Sequence, residues 1–198
     1  MVATEFDALL TRIHACQTCA RHLSLEPRPI LQADPRATIL IAGQAPGIRT
    51  HGAGIPFDDA SGDRLRRWLG VDRETFYNPA HFAIVPMGFC YPGKGSGGDA
   101  PPRPECAEQW HAPLLEALPN IQLTLVLGRY ALAYHLPQYR RSTVTEAVRQ
   151  WEKLWPRYLP LPHPSPRNQA WFKRNAWFEA ELLPELRDRV SRLTSPPG

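Results

Sequence analysis

The sequence has no long apolar run, which argues against a membrane protein. No segment approaches the roughly 20 consecutive apolar residues that a spanning helix needs. Residues 1–7 also lack the basic and then apolar pattern of a signal peptide. We therefore expect a cytoplasmic protein with no membrane partner. Internal repeats and low-complexity blocks are absent as well.

Cysteine is scarce and charge is modest. Four cysteines in 198 residues are too few for a disulfide-based scaffold. The net charge of +4 fits a polyanionic partner and, equally, a mildly basic soluble protein. Proline, in contrast, is abundant, and its 22 residues cluster in segments that read as loops. The length predicts one domain over residues 1–198. We also expect a monomer.

Short apolar runs and helical periodicity together predict the fold class. Four strands are expected, at residues 38–42, 82–87, 121–127 and 158–162. Helices are expected at residues 5–15, 61–69 (capped by Ser61), 104–118 and 128–136, and over 167–193 with a break before Pro184. Strands that alternate with helices favour a parallel sheet covered on both faces. The prediction is a three-layer α/β/α fold around a mostly parallel four-stranded sheet.

Two polar loop motifs directly follow predicted strands. Gly43-Gln44-Ala45-Pro46-Gly47 follows the first strand, and His163-Pro164-Ser165-Pro166-Arg167-Asn168 follows the fourth. Ligands of open α/β sheets bind outside the carboxyl ends of the strands. The two motifs are therefore expected to form two walls of one pocket.

The cysteines form a second pattern, Cys16-x-x-Cys19 followed by Cys90 and Cys106. A Cys-x-x-Cys pair presents two thiolates to one metal centre. Four thiolates suit zinc or an iron–sulfur cluster, and ligand chemistry alone does not separate these two. Four unrelated buried thiols are the alternative.

These motifs, with Gly54-Ile55-Pro56-Phe57, resemble the uracil-DNA glycosylase superfamily, and in particular its iron–sulfur (thermophilic-type) members. The cysteine order and gaps, the Gly-x-Ala-Pro-Gly loop and the His-Pro-Ser loop all match, over about residues 16–170. The resemblance implies a [4Fe–4S] cluster on Cys16, Cys19, Cys90 and Cys106, with zinc as the less favoured ligand. Residues 1–35 would then comprise an N-terminal helix and a cluster-binding segment, and residues 194–198 a frayed tail.

The resemblance also implies a function. The expected activity is that of a monofunctional DNA glycosylase in base excision repair, which flips uracil or another deaminated base out of DNA and hydrolyses its N-glycosidic bond. The alternative is a protein of the same fold that binds damaged or abasic DNA without turnover, or with altered specificity.

Residue roles follow from the matched motifs. His163 and Gln44 are the implied catalytic residues; Gln44 stands where relatives have glutamate, and its amide can bond the base or position a water. The implied base-binding residues are Gly43, Gln44, Ala45, Phe57 and His163, with Phe57 stacking on the base. The implied DNA-binding residues are Ser165, Arg167 and Asn168.

The chain departs from the family pattern at three further positions. Thr50 and His51 stand where relatives carry a Glu-Asp pair, and Pro86 stands where they carry the asparagine that reads uracil. The preferred base is therefore left open. The group that activates water is also open, with Asp58, Asp59, Asp63 and His51 as candidates.

Further basic residues are weaker candidates for contacts with DNA. They are Arg49, Arg64, Lys94, Arg103, Lys173 and Arg174. The glycine-rich segment 93–98 lacks the strand and helix context of a phosphate-binding loop, so a mobile loop between Cys90 and Cys106 is expected instead. The aromatic residues at 171, 172, 177 and 178 are expected in the core.

Overall fold

A four-stranded parallel sheet forms the centre of the computed structural model, which describes residues 4–195. The strands are β1 (Ile39–Ala42), β2 (Phe82–Ile84), β3 (Lys94–Gly95), β4 (Gly98–Asp99), β5 (Leu123–Leu127) and β6 (Tyr158–Leu161). The central sheet has the order β2-β1-β5-β6, and all its neighbours run parallel. Strands β3 and β4 form a separate antiparallel hairpin. Of the predicted frayed tail, residues 196–198 lie outside the described part of the chain.

Nine α-helices connect or flank these strands in the described residues. They are α1 (Glu5–His14), α2 (Ile48–Ala53), α3 (Ala60–Leu69), α4 (Arg73–Tyr77), α5 (Pro104–Glu116), α6 (Gly128–His135), α7 (Val144–Arg149), α8 (Gln169–Arg174) and α9 (Leu183–Thr194). Short 3₁₀ turns occur at Ala20–His22, Pro137–Tyr139, Trp151–Lys153 and Pro166–Asn168, and a π-helical turn at Phe178–Leu182.

Helices cover both faces of the sheet because its strands are apolar on both sides. On one face, Ile39 and Ile41 pack in a cluster with Leu65 of α3 and with residues of α9. On the other face, Leu40 packs with Trp110 of α5 and with residues of α1. The predicted three-layer α/β/α fold with a four-stranded sheet is confirmed.

Two local predictions about helices are wrong. Asp59, not Ser61, caps α3, because the Asp59 carboxylate accepts a hydrogen bond from the Gly62 N–H (2.9 Å). The long C-terminal helix is interrupted at Asn175, whose side chain donates to the Trp171 carbonyl (2.8 Å). Pro184 lies in the first turn of α9, where a missing N–H is tolerated.

The strand order places a topological switch point at β1. The chain leaves β1 for β2 on one side and later returns to β5 on the other side. Connections diverge at such a point and leave a crevice at the carboxyl ends of the strands. The first loop motif emerges here from β1, and the second emerges from β6.

Candidate active site

A cavity of about 450 Å³ opens at the carboxyl edge of the sheet. All five predicted base-binding residues line it, namely Gly43, Gln44, Ala45, Phe57 and His163. The three predicted DNA-binding residues line it as well, namely Ser165, Arg167 and Asn168. The structure thus brings together two motifs that are far apart in the sequence.

His163 follows β6 and is held as a neutral hydrogen-bond donor. Its Nδ1 accepts a hydrogen bond from the Ser165 N–H (3.2 Å), which leaves the ring proton on Nε2. Burial lowers the pKa of His163, and the charges of Asp59 and Asp99 oppose that shift only in part. The ring is therefore neutral at pH 7.

The loop that carries His163 is braced by its own residues and by α3. Asn168 donates to the His163 carbonyl (2.7 Å). Arg64 of α3 donates to the Ser165 carbonyl (3.1 Å) and to the Gln169 side chain (2.8 Å). Arg64, a weak candidate for phosphate contact, is thus engaged in positioning the loop.

Phe57 lines the cavity in a strained backbone conformation. Its φ of 56° lies in the left-handed region, which costs a non-glycine residue about 1–3 kcal/mol. Arg66 donates to its carbonyl (3.3 Å), and Gly62 packs so closely that an added Cβ would lie 1.7 Å from that oxygen. The ring contacts Gly43 and the edge of Phe76. Strain of this kind is concentrated at functional sites.

The first motif presents unused hydrogen-bonding groups. Met87 and Gly88 donate their N–H groups to the carbonyls of Gly43 (2.9 Å) and Gln44 (3.0 Å), which fixes the loop. Among the described residues, neither the N–H of Gln44 nor that of Ala45 has a hydrogen-bond acceptor. These two groups are available to a ligand.

The four candidates for water activation differ in their ion pairs and in whether they line the cavity. Asp58 is paired with Arg73 (2.7 Å) and Asp63 with Arg66 (2.6 Å). Neither lines the cavity, and His51 does not line it either. Asp59 alone of the four does so.

Two cavity residues were not expected from the sequence. Pro86 and Thr50, which depart from the family pattern, line the cavity, and so do the unexpected Ser61 and Asp99. Asp99 comes from the β3–β4 hairpin, in the segment that was predicted as a mobile loop. No local sequence pattern indicates that this hairpin packs beside the first and second loop motifs.

The other basic candidates lie outside this cavity lining. Arg103 pairs with Glu105, close to the cysteines. Lys94, Lys173 and Arg174 are exposed. The aromatic residues Trp171, Phe172, Trp177 and Phe178 pack in or against the core, as predicted.

The four cysteines surround a second, smaller cavity beside β2. Cys16, Cys19, Cys90 and Cys106 all line it, together with Arg103 and Trp110. Within residues 4–195, however, no three His, Cys, Asp or Glu side chains are grouped so that they could hold a metal ion. The four cysteines nevertheless share one cavity.

Two of these sulfur atoms have an N–H donor. Trp110 Nε1 donates to Cys16 Sγ (3.3 Å), and the Phe89 N–H donates to Cys106 Sγ (3.3 Å). Burial raises the pKa of Cys19, and the neighbouring Arg103 opposes that shift, as the Arg28 backbone does at Cys90. Such donors stabilise thiolates. Burial meanwhile raises the pKa of Cys90 to about 11 and of Cys106 to about 12, so that a cationic ligand is needed to hold both as thiolates.

Two further findings bear on the class of protein. No helix among the described residues has the length and apolar character needed to cross a membrane. The sequence model of the Uracil DNA glycosylase superfamily matches residues 31–187.

Proposed function

Because the chain belongs to the uracil DNA glycosylase superfamily, whose membership indicates DNA glycosylase activity in base excision repair, we propose that it excises uracil or another deaminated base from DNA. The enzyme is monofunctional: it hydrolyses the N-glycosidic bond and leaves an abasic site. Among the described residues that line the cavity there is no lysine to form a Schiff base.

The main support for this proposal is the set of groups that line the cavity. A neutral histidine donor, two free backbone N–H groups and an aromatic ring converge on one cavity, from His163, Gln44, Ala45 and Phe57. The leaving group of glycosidic cleavage is an anionic base. Fixed neutral donors stabilise such an anion, and each donor typically contributes about 3–4 kcal/mol in the transition state.

The reaction begins when the target nucleotide leaves the base stack and enters the cavity. Phe57 stacks on the base, which stabilises the flipped state by about 1–3 kcal/mol. As the C1′–N bond breaks, its electron pair moves onto the base, where Nε2–H of His163 and the N–H groups of Gln44 and Ala45 receive the charge. The Asp59 carboxylate stabilises the cationic sugar, and water then adds to C1′.

The rim of the cavity supplies contacts with DNA. Ser165, Arg167 and Asn168 lie there on the braced second motif. Contacts between Arg167 and phosphate release counterions, so affinity falls as salt rises.

Base choice rests on groups other than an asparagine at position 86. Pro86 has no side-chain amide, whereas Gln44 has one that makes no hydrogen bond among the described residues. We propose that Gln44 recognises the base through its side-chain amide. The side-chain amide both donates and accepts, which suits uracil and other deaminated bases.

We further propose that Cys16, Cys19, Cys90 and Cys106 hold a [4Fe–4S] cluster. A single zinc ion needs four sulfur atoms about 2.3 Å from one point, whereas a cluster binds each thiolate at a different iron. The cavity shared by the four cysteines supports this proposal, and so do the N–H donors to Cys16 and Cys106. When bound, the cluster supplies a crosslink between the N-terminal segment and the 90–106 region.

The test is alkaline cleavage of labelled oligonucleotides that contain uracil, hypoxanthine or xanthine. We expect base-dependent cleavage by the wild-type protein, and about 10²–10³-fold slower single-turnover excision by His163→Ala with DNA binding retained. Excision by His163→Ala at the wild-type rate would refute the catalytic role assigned to His163. Binding without cleavage of any substrate by the wild type would favour the damage-binding alternative. A cytoplasmic monomer stays a prediction.

A further inference from the structure

We propose that Asp99, on the β3–β4 hairpin, is the catalytic carboxylate that accepts the proton of the attacking water. This assignment rests on the proposed glycosylase function. It adds a second acidic residue to the cavity, from a segment outside both loop motifs.

The hairpin is built against both motifs. Strand β4 pairs with β3 so that Asp99 lies opposite Lys94, and the Ala100 N–H closes the turn on the Gly93 carbonyl (2.8 Å). Asp99 Oδ2 lies 3.4 Å from where a Cβ on Gly47 would be. On the other side, Gly98 lies against the Arg167 guanidinium, with 2.6 Å from Nη1 to the position of a built Cβ.

The backbone explains why glycine occupies position 98. A side chain at Gly98, with its φ of 149°, would be strained and would also displace Arg167. At Gly47 the distance of 3.4 Å corresponds to ordinary van der Waals contact with the Asp99 carboxylate. The hairpin therefore lies close to both motifs and brings Asp99 into the cavity lining.

Asp99 is also the least engaged carboxylate near the site. In the part of the chain that the structure describes, it has neither an ion pair nor a side-chain hydrogen bond. Asp58 and Asp63 are paired with arginines. One oxygen of Asp59 accepts a hydrogen bond from the Gly62 N–H, which holds that carboxylate in place.

Asp99 lines the cavity and is exposed to solvent, so water can reach its carboxylate. A carboxylate next to the anionic base would oppose its departure, so the proposed role requires that Asp99 lie beside the sugar in the complex with DNA. Asp99 and Asp59 both lie close enough to His163 for their charges to act on it. The Asp99 carboxylate and the hydrogen-bond donor of His163 therefore belong to one site.

In the proposed step, water replaces the base at C1′. The C1′–N bond breaks and its electron pair leaves with the base, which His163 stabilises. The water oxygen bonds to C1′ and transfers one proton to an Asp99 oxygen. Asp99 then releases that proton to solvent, and the base anion takes one up from solvent.

The experiment compares Asp99→Asn, Asp99→Ala and a control, Asp58→Asn, in single-turnover excision and in binding to abasic DNA. We expect about 100-fold slower excision for both Asp99 variants, the lower end of the range for a general base. Binding should be unchanged or tighter, because a negative charge near phosphates is removed. Asp58→Asn should remain near the wild-type rate. Added formate should partly restore Asp99→Ala and leave Asp99→Asn slow, since only the alanine variant has room for a small anion.

Asp99→Asn within about threefold of the wild-type rate would overturn the assignment, as would equal losses of binding and excision, which would indicate a structural role or a DNA contact. Both outcomes require an active wild-type enzyme, so they would refute the role of Asp99 without refuting the glycosylase function. A wild type that excises no base would instead refute the proposed function, and this assignment with it.

Discussion

One buried and one partly buried histidine, His111 and His135, should make this protein acid-sensitive below about pH 6.5. Burial lowers the pKa of His111 from 6.5 to about 4. Burial, followed by the nearby charge of His111, lowers the pKa of His135 to about 4 as well. Among the described residues, His111 Nδ1 and His135 Nε2 are buried with no hydrogen-bond partner. A second proton on either ring would therefore have no acceptor.

The sign and size of the effect follow from these values. The pKa of each ring is lower in the folded state, so the unfolded chain binds the proton first as pH falls. The stabilisation is complete above about pH 6.5 and is lost between pH 6.5 and pH 4. For each histidine the loss is about 2 kcal/mol by pH 5 and about 3 kcal/mol by pH 4.

Urea unfolding at several values between pH 7.5 and pH 5 measures this loss. His135→Phe keeps a ring of similar shape and removes one titrating group. We expect the free energy of unfolding of this variant to fall by about 2 kcal/mol less than that of the wild type over this range. His14→Gln, at an exposed position, is the control and should retain the wild-type pH dependence.

The comparison does not depend on the absolute stability of the variant, because only the change with pH is compared. Parallel pH profiles for the wild type and His135→Phe would refute the reasoning. They would mean that His135 already has a proton acceptor in the folded protein, such as an internal water.

Three further predictions test the two cavities. Cys16→Ser should lower the iron content of the purified protein and its thermal stability, and an unchanged metal content by elemental analysis would reject the cluster. Gly62→Ala should destabilise the protein by about 3 kcal/mol, because the added Cβ would lie 1.7 Å from the Phe57 carbonyl oxygen; urea unfolding checks this, and wild-type stability would contradict it. Arg167→Ala should reduce the salt dependence of DNA binding by about one unit of slope, whereas an unchanged slope would place this side chain away from phosphate.

The sequence determined the fold class and most of the cavity lining. Short apolar runs that alternate with amphipathic helices favour the strands of a parallel sheet covered on both faces. Loops that follow such strands meet at one edge of that sheet, so the Gly43–Gly47 and His163–Asn168 motifs were predictable as neighbours. The family resemblance is confirmed over residues 31–187. The iron–sulfur cluster and the individual residue roles stay predictions.

Tertiary structure alone decided which polar groups are free. Asp58, Asp63 and Arg64 look equivalent to other charged residues in the sequence, but each has a partner in the fold. Asp59 reaches the cavity as the cap of α3, and Asp99 reaches it only because a short hairpin packs between the two motifs. Local patterns report burial and periodicity, whereas the availability of a side chain depends on neighbours that are distant in the chain.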